Sequence, residues 1–216
     1  MGETVLRRLF NYLPPSIKSR CKSGRRRLAA IANVWGADEW RPDPRVTIGK
    51  FTYGIRRSSI PILTSGTRIS IGSYCSIAPG VVFVVGRHRI ENVSTFPFRA
   101  GFLEGGRSDD EEIHPESITI GHDVWVGSRS LIVASATVGH GAVIAAGSVV
   151  VKDVPPYAVV AGVPARVVKM RFDPERVQKL LEIAWWDWPD ARIRANIDLF
   201  YGDPDEFIRR NTAPDA

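Results

Sequence analysis

The chain has 216 residues, 44% of them hydrophobic, two cysteines and a formal net charge of +6. That length holds one core plus an appendage, and the hydrophobic share is that of a globular rather than a disordered chain. Two cysteines exclude a disulfide framework, and no window approaches the ~18 apolar residues of a bilayer span.

The charge is concentrated at one end. Residues 1–34 carry eight Lys and Arg against Glu3, a balance of +7, and the remainder has 21 basic and 22 acidic residues. Residues 1–45 therefore read as a basic N-terminal arm on a nearly neutral body. Within it, residues 26–34 suit a short helix. No apolar stretch of secretory length interrupts the arm, so it does not read as a signal peptide. An arm of this charge suits a peripheral contact with an anionic membrane through residues 1–34, or with a phosphate-bearing substrate. Nucleic acid is not expected, because no stacking aromatics accompany the basic residues. With few cysteines, a reducing, cytoplasmic setting is expected, with any membrane contact at the inner face.

Residues 46–170 are governed by a period of six. Aliphatic residues recur at Ile120, Val126, Ile132, Val138, Ile144 and Val150. A small or β-branched residue follows four positions later, at Val124, Ser130, Ala136, Ala142, Ser148 and Val154. This is neither helical nor simple strand periodicity. It predicts an all-β solenoid, a parallel β-helix with three hexapeptides per coil. The same register appears at Ile48, Ile71 and Ile77, and Cys75 fills a small-residue slot as a buried thiol. Pro61 marks a short irregular insertion. The two blocks of repeats are out of phase, so residues 84–117 leave the coil as a protruding loop, the place to look for chemistry. Faces carrying Val124, Ser130 and Ala142 are expected to pack between copies.

After Pro164 the period changes. Asp173 and Pro174 are a helix start, and Val177, Leu180, Leu181, Ala184, Trp185 and Trp188 follow at helical spacing as far as Pro189. Ile193, Ile197 and Phe200 suggest a second short helix. Residues 171–212 are expected to cap the open end of the coil, with the tryptophans as packing groups.

Of four histidines, His122 and His140 lie 18 apart and should stack on one corner as exposed turn residues. A zinc site would need a third histidine there, and His114 is out of step, so no metal is expected. His88 differs, standing at the start of the loop in Gly86-Arg87-His88-Arg89-Ile90-Glu91, ahead of Ser94-Thr95-Phe96-Pro97-Phe98.

These loop residues, together with Ile120-Gly121-His122-Asp123-Val124-Trp125-Val126-Gly127, the run from Lys152 to Ala165 and the tail Leu181 to Trp188, carry a resemblance. They resemble the xenobiotic acetyltransferase branch of the left-handed β-helix acyltransferases, which includes chloramphenicol and streptogramin acetyltransferases and related sugar O-acetyltransferases. The resemblance covers residues 46–190. It implies a left-handed coil, a homotrimer, acetyl-CoA as cosubstrate and His88 as the catalytic histidine. The first-coil run Phe51-Thr52-Tyr53-Gly54 is more similar to enzymes of surface polysaccharides. The preferred acceptor is thus a hydroxyl of a sugar, glycan or activated glycan precursor. An antibiotic hydroxyl is the alternative, with a non-catalytic trimeric scaffold or a metal hydratase behind it.

The chemistry is simple. A hydroxyl is a weak nucleophile, and a neutral imidazole can take its proton as it attacks a thioester, then return it to the leaving thiolate. No serine triad is apparent, so direct transfer is expected. Glu91 is placed to orient His88. Ala145, Ala146 and Gly147 are expected along pantetheine with Trp125 as a wall, and Lys152, Arg166 and Lys169 as partners for the CoA phosphates.

Overall fold

The computed structural model describes residues 42–61, 66–86, 88–96, 98 and 117–212. The helix expected within residues 26–34 lies outside the described residues.

Among the described residues there are twelve short strands, the first ten of which follow the six-residue period. They are β1 (Val46–Ile48), β2 (Ile69–Ile71), β3 (Ser76–Ile77), β4 (Val82–Val84), β5 (Ile118–Ile120), β6 (Trp125–Val126), β7 (Leu131–Val133), β8 (Thr137–Val138), β9 (Val143–Ile144), β10 (Val149–Val150), β11 (Ala158–Gly162) and β12 (Ala165–Met170). They form three sheets, which β2 to β10 visit in rotation. Sheet one is β1-β2-β5-β8, sheet two is β3-β6-β9-β11-β12, and sheet three is β4-β7-β10. All pairings are parallel except β11 with β12.

The register shows how the sequence sets this up. In the later coils Thr119 pairs with Thr137, Trp125 with Val143 and Leu131 with Val149, each 18 positions on. Ile71 instead pairs with Ile120, 49 positions on, so 31 residues leave the coil between β4 and β5. Ile48 pairs with Ile71, five more than one coil needs, and a 3-10 turn at Arg57–Ser59 lies in that insertion.

The aliphatic positions point inward. Ile120, Val126, Ile132, Val138, Ile144 and Val150 are all at most 2% exposed and form the core. Each such side chain contributes about 1.5–3 kcal/mol by burial. Cys75 is a free buried thiol, with Sγ 3.1 Å from Gly121 O. Val124, Ser130 and Ala142 are not on an outer face: all three lie inside the coil. Their small volume fits the corners, and the Ser130 hydroxyl is satisfied internally by the carbonyls of Gly127 and Ala145. The outer rows are different residues. Sheet one presents Thr47, Ser70, Thr119 and Thr137. Sheet three presents Val82, Leu131 and Val149.

The tail departs from the sequence expectation in two ways. Helix α1 (Pro174–Ile183) begins as predicted, with Asp173 accepting from Arg176 N, but ends at Ala184 in the left-handed region. Trp185–Asp187 form a 3-10 turn instead of continuing the helix. Helix α2 (Asp190–Ala195), a second 3-10 turn (Ile197–Tyr201) and helix α3 (Pro204–Thr212) follow, the last not foreseen. The tail also runs along one corner of the coil rather than simply covering its end. Lys50 of the first coil donates to Trp188 O, Tyr74 of the second packs on Trp185, and Tyr157 of the last joins Leu180 and Trp188 in a shared core.

That corner has an unusual backbone. Phe51, Tyr74, Asp123 and Tyr157 all have φ between 56° and 62°, and Gly141 completes the column at 67°. Left-handed geometry costs a side-chain-bearing residue roughly 1–2 kcal/mol. A β-carbon at position 141 would meet the Tyr157 ring at 2.5 Å. Glycine there lets the tyrosine fold over the corner.

Candidate active site

The outer face of sheet two is built by strand register. Ser76, Trp125, Val143, Val159 and Lys169 pair in succession across the strands, forming one row. Trp125 is 56% exposed at its middle. Tyr53, bridged to Ser76, extends the row and is also exposed. Two residues further on lie Gly127, Ala145 and Ala161, and Ala161 pairs with Arg166. The face thus has an aromatic and aliphatic ridge beside a track of small residues, and each ends at a basic residue of β12.

The track is closely stacked. A β-carbon at Gly127 would come within 2.5 Å of Ala146 N. Ala145 has no backbone group to spare: its N–H donates to Val160 O, and its carbonyl accepts from the hydroxyls of Ser130 and Ser148. Gly147 N–H is likewise taken, by Ser128 O. Ala146 differs. It is exposed, and its N–H has no partner among the described residues. Of the three positions predicted to lie along pantetheine, Ala146 has the free donor. Gly147 has φ +71° with open space where a side chain would stand, so it shapes the turn and leaves the surface open.

Lys152 is exposed after β10, and Arg166 and Lys169 are exposed on β12. The structure brings Trp125, Ala145, Ala146, Arg166 and Lys169 onto one side of the coil. It does not bring His88 there. His88 and Glu91 are exposed residues beyond β4, past the far edge of sheet three. The Ala145–Gly147 turn, between β9 and β10, lies at the opposite edge of that sheet.

His122 and His140 are the second correction. Their rings stack 5.1 Å apart as the spacing predicts, yet they are not free turn residues. Trp186 stacks on both, at 5.5 and 4.6 Å. Ser73 N donates to His122 Nδ1, and His122 N donates to His140 Nδ1, each at 2.9 Å. The imidazoles continue the main-chain ladder from coil to coil. Burial lowers both pKa values, with His122 lowering that of His140 further and Asp187 opposing. Ring nitrogens held as acceptors fix the neutral state. Sequence alone could have suggested this from Gly-His at matching corners, because the preceding glycine permits the close approach. Among the described residues no cluster of three or more metal-ligating side chains occurs.

The chain is similar to known acetyltransferases. It is 36% identical over 178 residues to a chloramphenicol acetyltransferase of Agrobacterium fabrum (strain C58 / ATCC 33970), covering 75% of this chain and 85% of that one. A chloramphenicol acetyltransferase of Escherichia coli is 35% identical, over 70% of this chain and 80% of its own. The chain belongs to the chloramphenicol acetyltransferase-like family of acetyl-CoA-dependent hexapeptide acetyltransferases. Galactoside O-acetyltransferase of Escherichia coli (strain K12) is 31% identical, over 78% of this chain and 76% of its own. Among solved structures, a galactoside acetyltransferase in complex with coenzyme A aligns at 28% identity over 64% of this chain and 65% of that chain, with a TM-score of 0.43. No protein-family model matches the chain.

Proposed function

We propose that this enzyme O-acetylates a hydroxyl of a sugar, glycan or activated glycan precursor by direct transfer from acetyl-CoA. The observation that carries the reading is the face of sheet two, where a small-residue track with one free N–H, at Ala146, lies beside exposed Trp125 and ends at basic β12 residues. An extended pantetheine arm fits such a track, and Arg166 and Lys169 suit its phosphates, with Lys152 nearby in the chain. His88 is the general base, oriented by Glu91. Its neutral imidazole takes the hydroxyl proton as the oxygen attacks the thioester carbonyl, then passes it to the departing sulfur.

We infer a left-handed coil and a homotrimer. His88 and the Ala145–Gly147 turn lie at opposite edges of sheet three within one chain, so a neighbouring copy supplies the histidine. The outer row of sheet three is apolar and that of sheet two is mostly aromatic and aliphatic, with Ser76 and Lys169 as its polar members, while that of sheet one is polar, which suits burial of two faces in a cyclic assembly. The basic residues 1–34 are proposed to meet an anionic membrane or a phosphorylated acceptor. No helix among the described residues is long and apolar enough to cross a membrane.

Support for a sugar acceptor comes from Tyr53 and Trp125, exposed aromatics two strands apart, about 10 Å at ordinary strand spacing, which suits the apolar face of a pyranose. The second reading, an antibiotic hydroxyl, is supported by the higher identity to the chloramphenicol acetyltransferases. A panel of galactosides, maltose, chloramphenicol and a streptogramin, assayed by release of free CoA thiol, separates them. Turnover of sugars well above the antibiotics supports the first reading, and the reverse supports the second.

A further inference from the structure

Between the left-handed corner column and the C-terminal tail lies a cavity of about 490 Å³, away from the acetyl-transfer face. Its walls are mostly apolar, with Leu180, Trp185, Leu199 and Phe200 on the tail side. Five wall residues are polar: Tyr74, Asp123 and Tyr157 from the column, Arg171, and Tyr201 at the exposed rim. Their hydrogen bonding is incomplete. The hydroxyls of Tyr74 and Tyr157 are buried without a closed hydrogen bond, although the Lys50 ammonium, 5.6 Å from the Tyr74 ring centroid, interacts with the Tyr74 phenol. Asp123 meets Arg171 only at 3.4 Å, while the same Arg171 nitrogen bonds Gly141 O at 2.6 Å and the guanidinium rests over the Tyr157 and Phe172 rings. Burial holds the Asp123 carboxyl above its usual range against the pull of Arg171, and burial and then Asp123 push the Tyr157 phenol up. The Trp185 indole beside that phenol opposes the rise without closing a hydrogen bond.

Buried polar groups in folded proteins are satisfied, and unsatisfied ones call for an explanation. Here two phenols and a loosely paired carboxylate share the wall of one apolar cavity. We propose that the cavity is a second ligand site, for a small uncharged molecule with an apolar ring and a head that both donates and accepts hydrogen bonds, an amide or a hydroxyl. The head accepts from a phenol and donates to Asp123, and the ring lies among Trp185, Phe200 and the leucines. An uncharged ligand is required because Asp123 and Arg171 already balance, and a further charge would go uncompensated in an apolar site. A cavity of this size holds a molecule with one or two rings.

Benzamide and toluene are suitable probes, having similar ring bodies with and without the head. They are titrated calorimetrically into the full chain and into Tyr157→Phe and Leu199→Trp. Benzamide should bind and toluene bind at least tenfold more weakly. Tyr157→Phe should weaken benzamide by about tenfold, the size of one hydrogen bond. It should also raise the melting temperature of the ligand-free protein, because an unpaired buried hydroxyl is gone. Leu199→Trp, which fills the cavity, should abolish binding. The proposal is overturned if benzamide does not bind, if toluene binds as tightly, or if benzamide affinity is unchanged by both substitutions. A lowered melting temperature for Tyr157→Phe with no benzamide binding would mean that the cavity serves ordered water alone.

Discussion

At His122 and His140 the chain uses imidazole as a main-chain acceptor, and this makes the fold sensitive to acid. Both folded pKa values are lowered, chiefly by burial. The unfolded chain therefore takes up protons at a higher pH than the fold does. The stabilisation is complete above the ordinary histidine value of 6.5 and falls as the pH drops through it towards the lowered folded values. Melting temperature should decline between about pH 6.5 and 5, before most carboxylates titrate. His140→Asn should flatten that decline, because its amide oxygen can accept from His122 N without titrating; an unchanged slope would remove the ladder as its cause. His88 belongs to a different class. It is exposed beyond β4, so His88→Ala should lower turnover by roughly 10²–10⁴ while leaving stability and acetyl-CoA affinity nearly intact. Alanine at His122 or His140 should instead cost stability.

At the scale of elements, the six-residue period accounts for the coil from β2 to β10, where each aliphatic residue it marks is buried; Ile48 is only half-buried, and β11 pairs with β9 16 positions on before turning back as antiparallel β12. It does not report what covers the coil. The helical spacing from Val177 to Trp188 suggested one helix, but Ala184 turns left-handed and delivers Trp185 and Trp186 to the corner column. Periodicity cannot show such a break, since Ala is a good helix former and tertiary packing overrides it. Trp186→Ala should therefore cost about 3–5 kcal/mol in denaturant unfolding, as for a buried core aromatic. The candidate site was partly legible for a related reason. Small residues at 145–147 announce a close approach, but only hydrogen-bond bookkeeping singles out Ala146, and only the register of β11 with β12 puts Arg166 and Lys169 at the ends of the two rows. Replacing both Arg166 and Lys169 by alanine should raise the KM for acetyl-CoA by about tenfold. It should leave the KM for acetyl-pantetheine, which lacks the phosphates, unchanged. Equal effects on both would place the phosphates elsewhere.

For the whole molecule, one chain holds the parts of the proposed site at separate edges; the outer row of sheet three is apolar, and that of sheet two is mostly aromatic and aliphatic up to its basic end. The proposed assembly about a threefold axis would resolve both features by setting the His88 edge of one copy against the Ala146 track of the next. Light scattering should give three copies per particle. The most direct test is complementation between two inactive variants. His88→Ala keeps the track and lacks the base, while Ala146→Trp keeps the base and blocks the track. Each should be inactive alone and trimeric. Particles carrying both variants, co-expressed with different tags and purified through each, contain sites where an intact histidine faces an intact track. In a cyclic trimer carrying both variants one site of the three is whole, so about one third of the native turnover should return. Mixed trimers that remain inactive would contradict a site shared between copies.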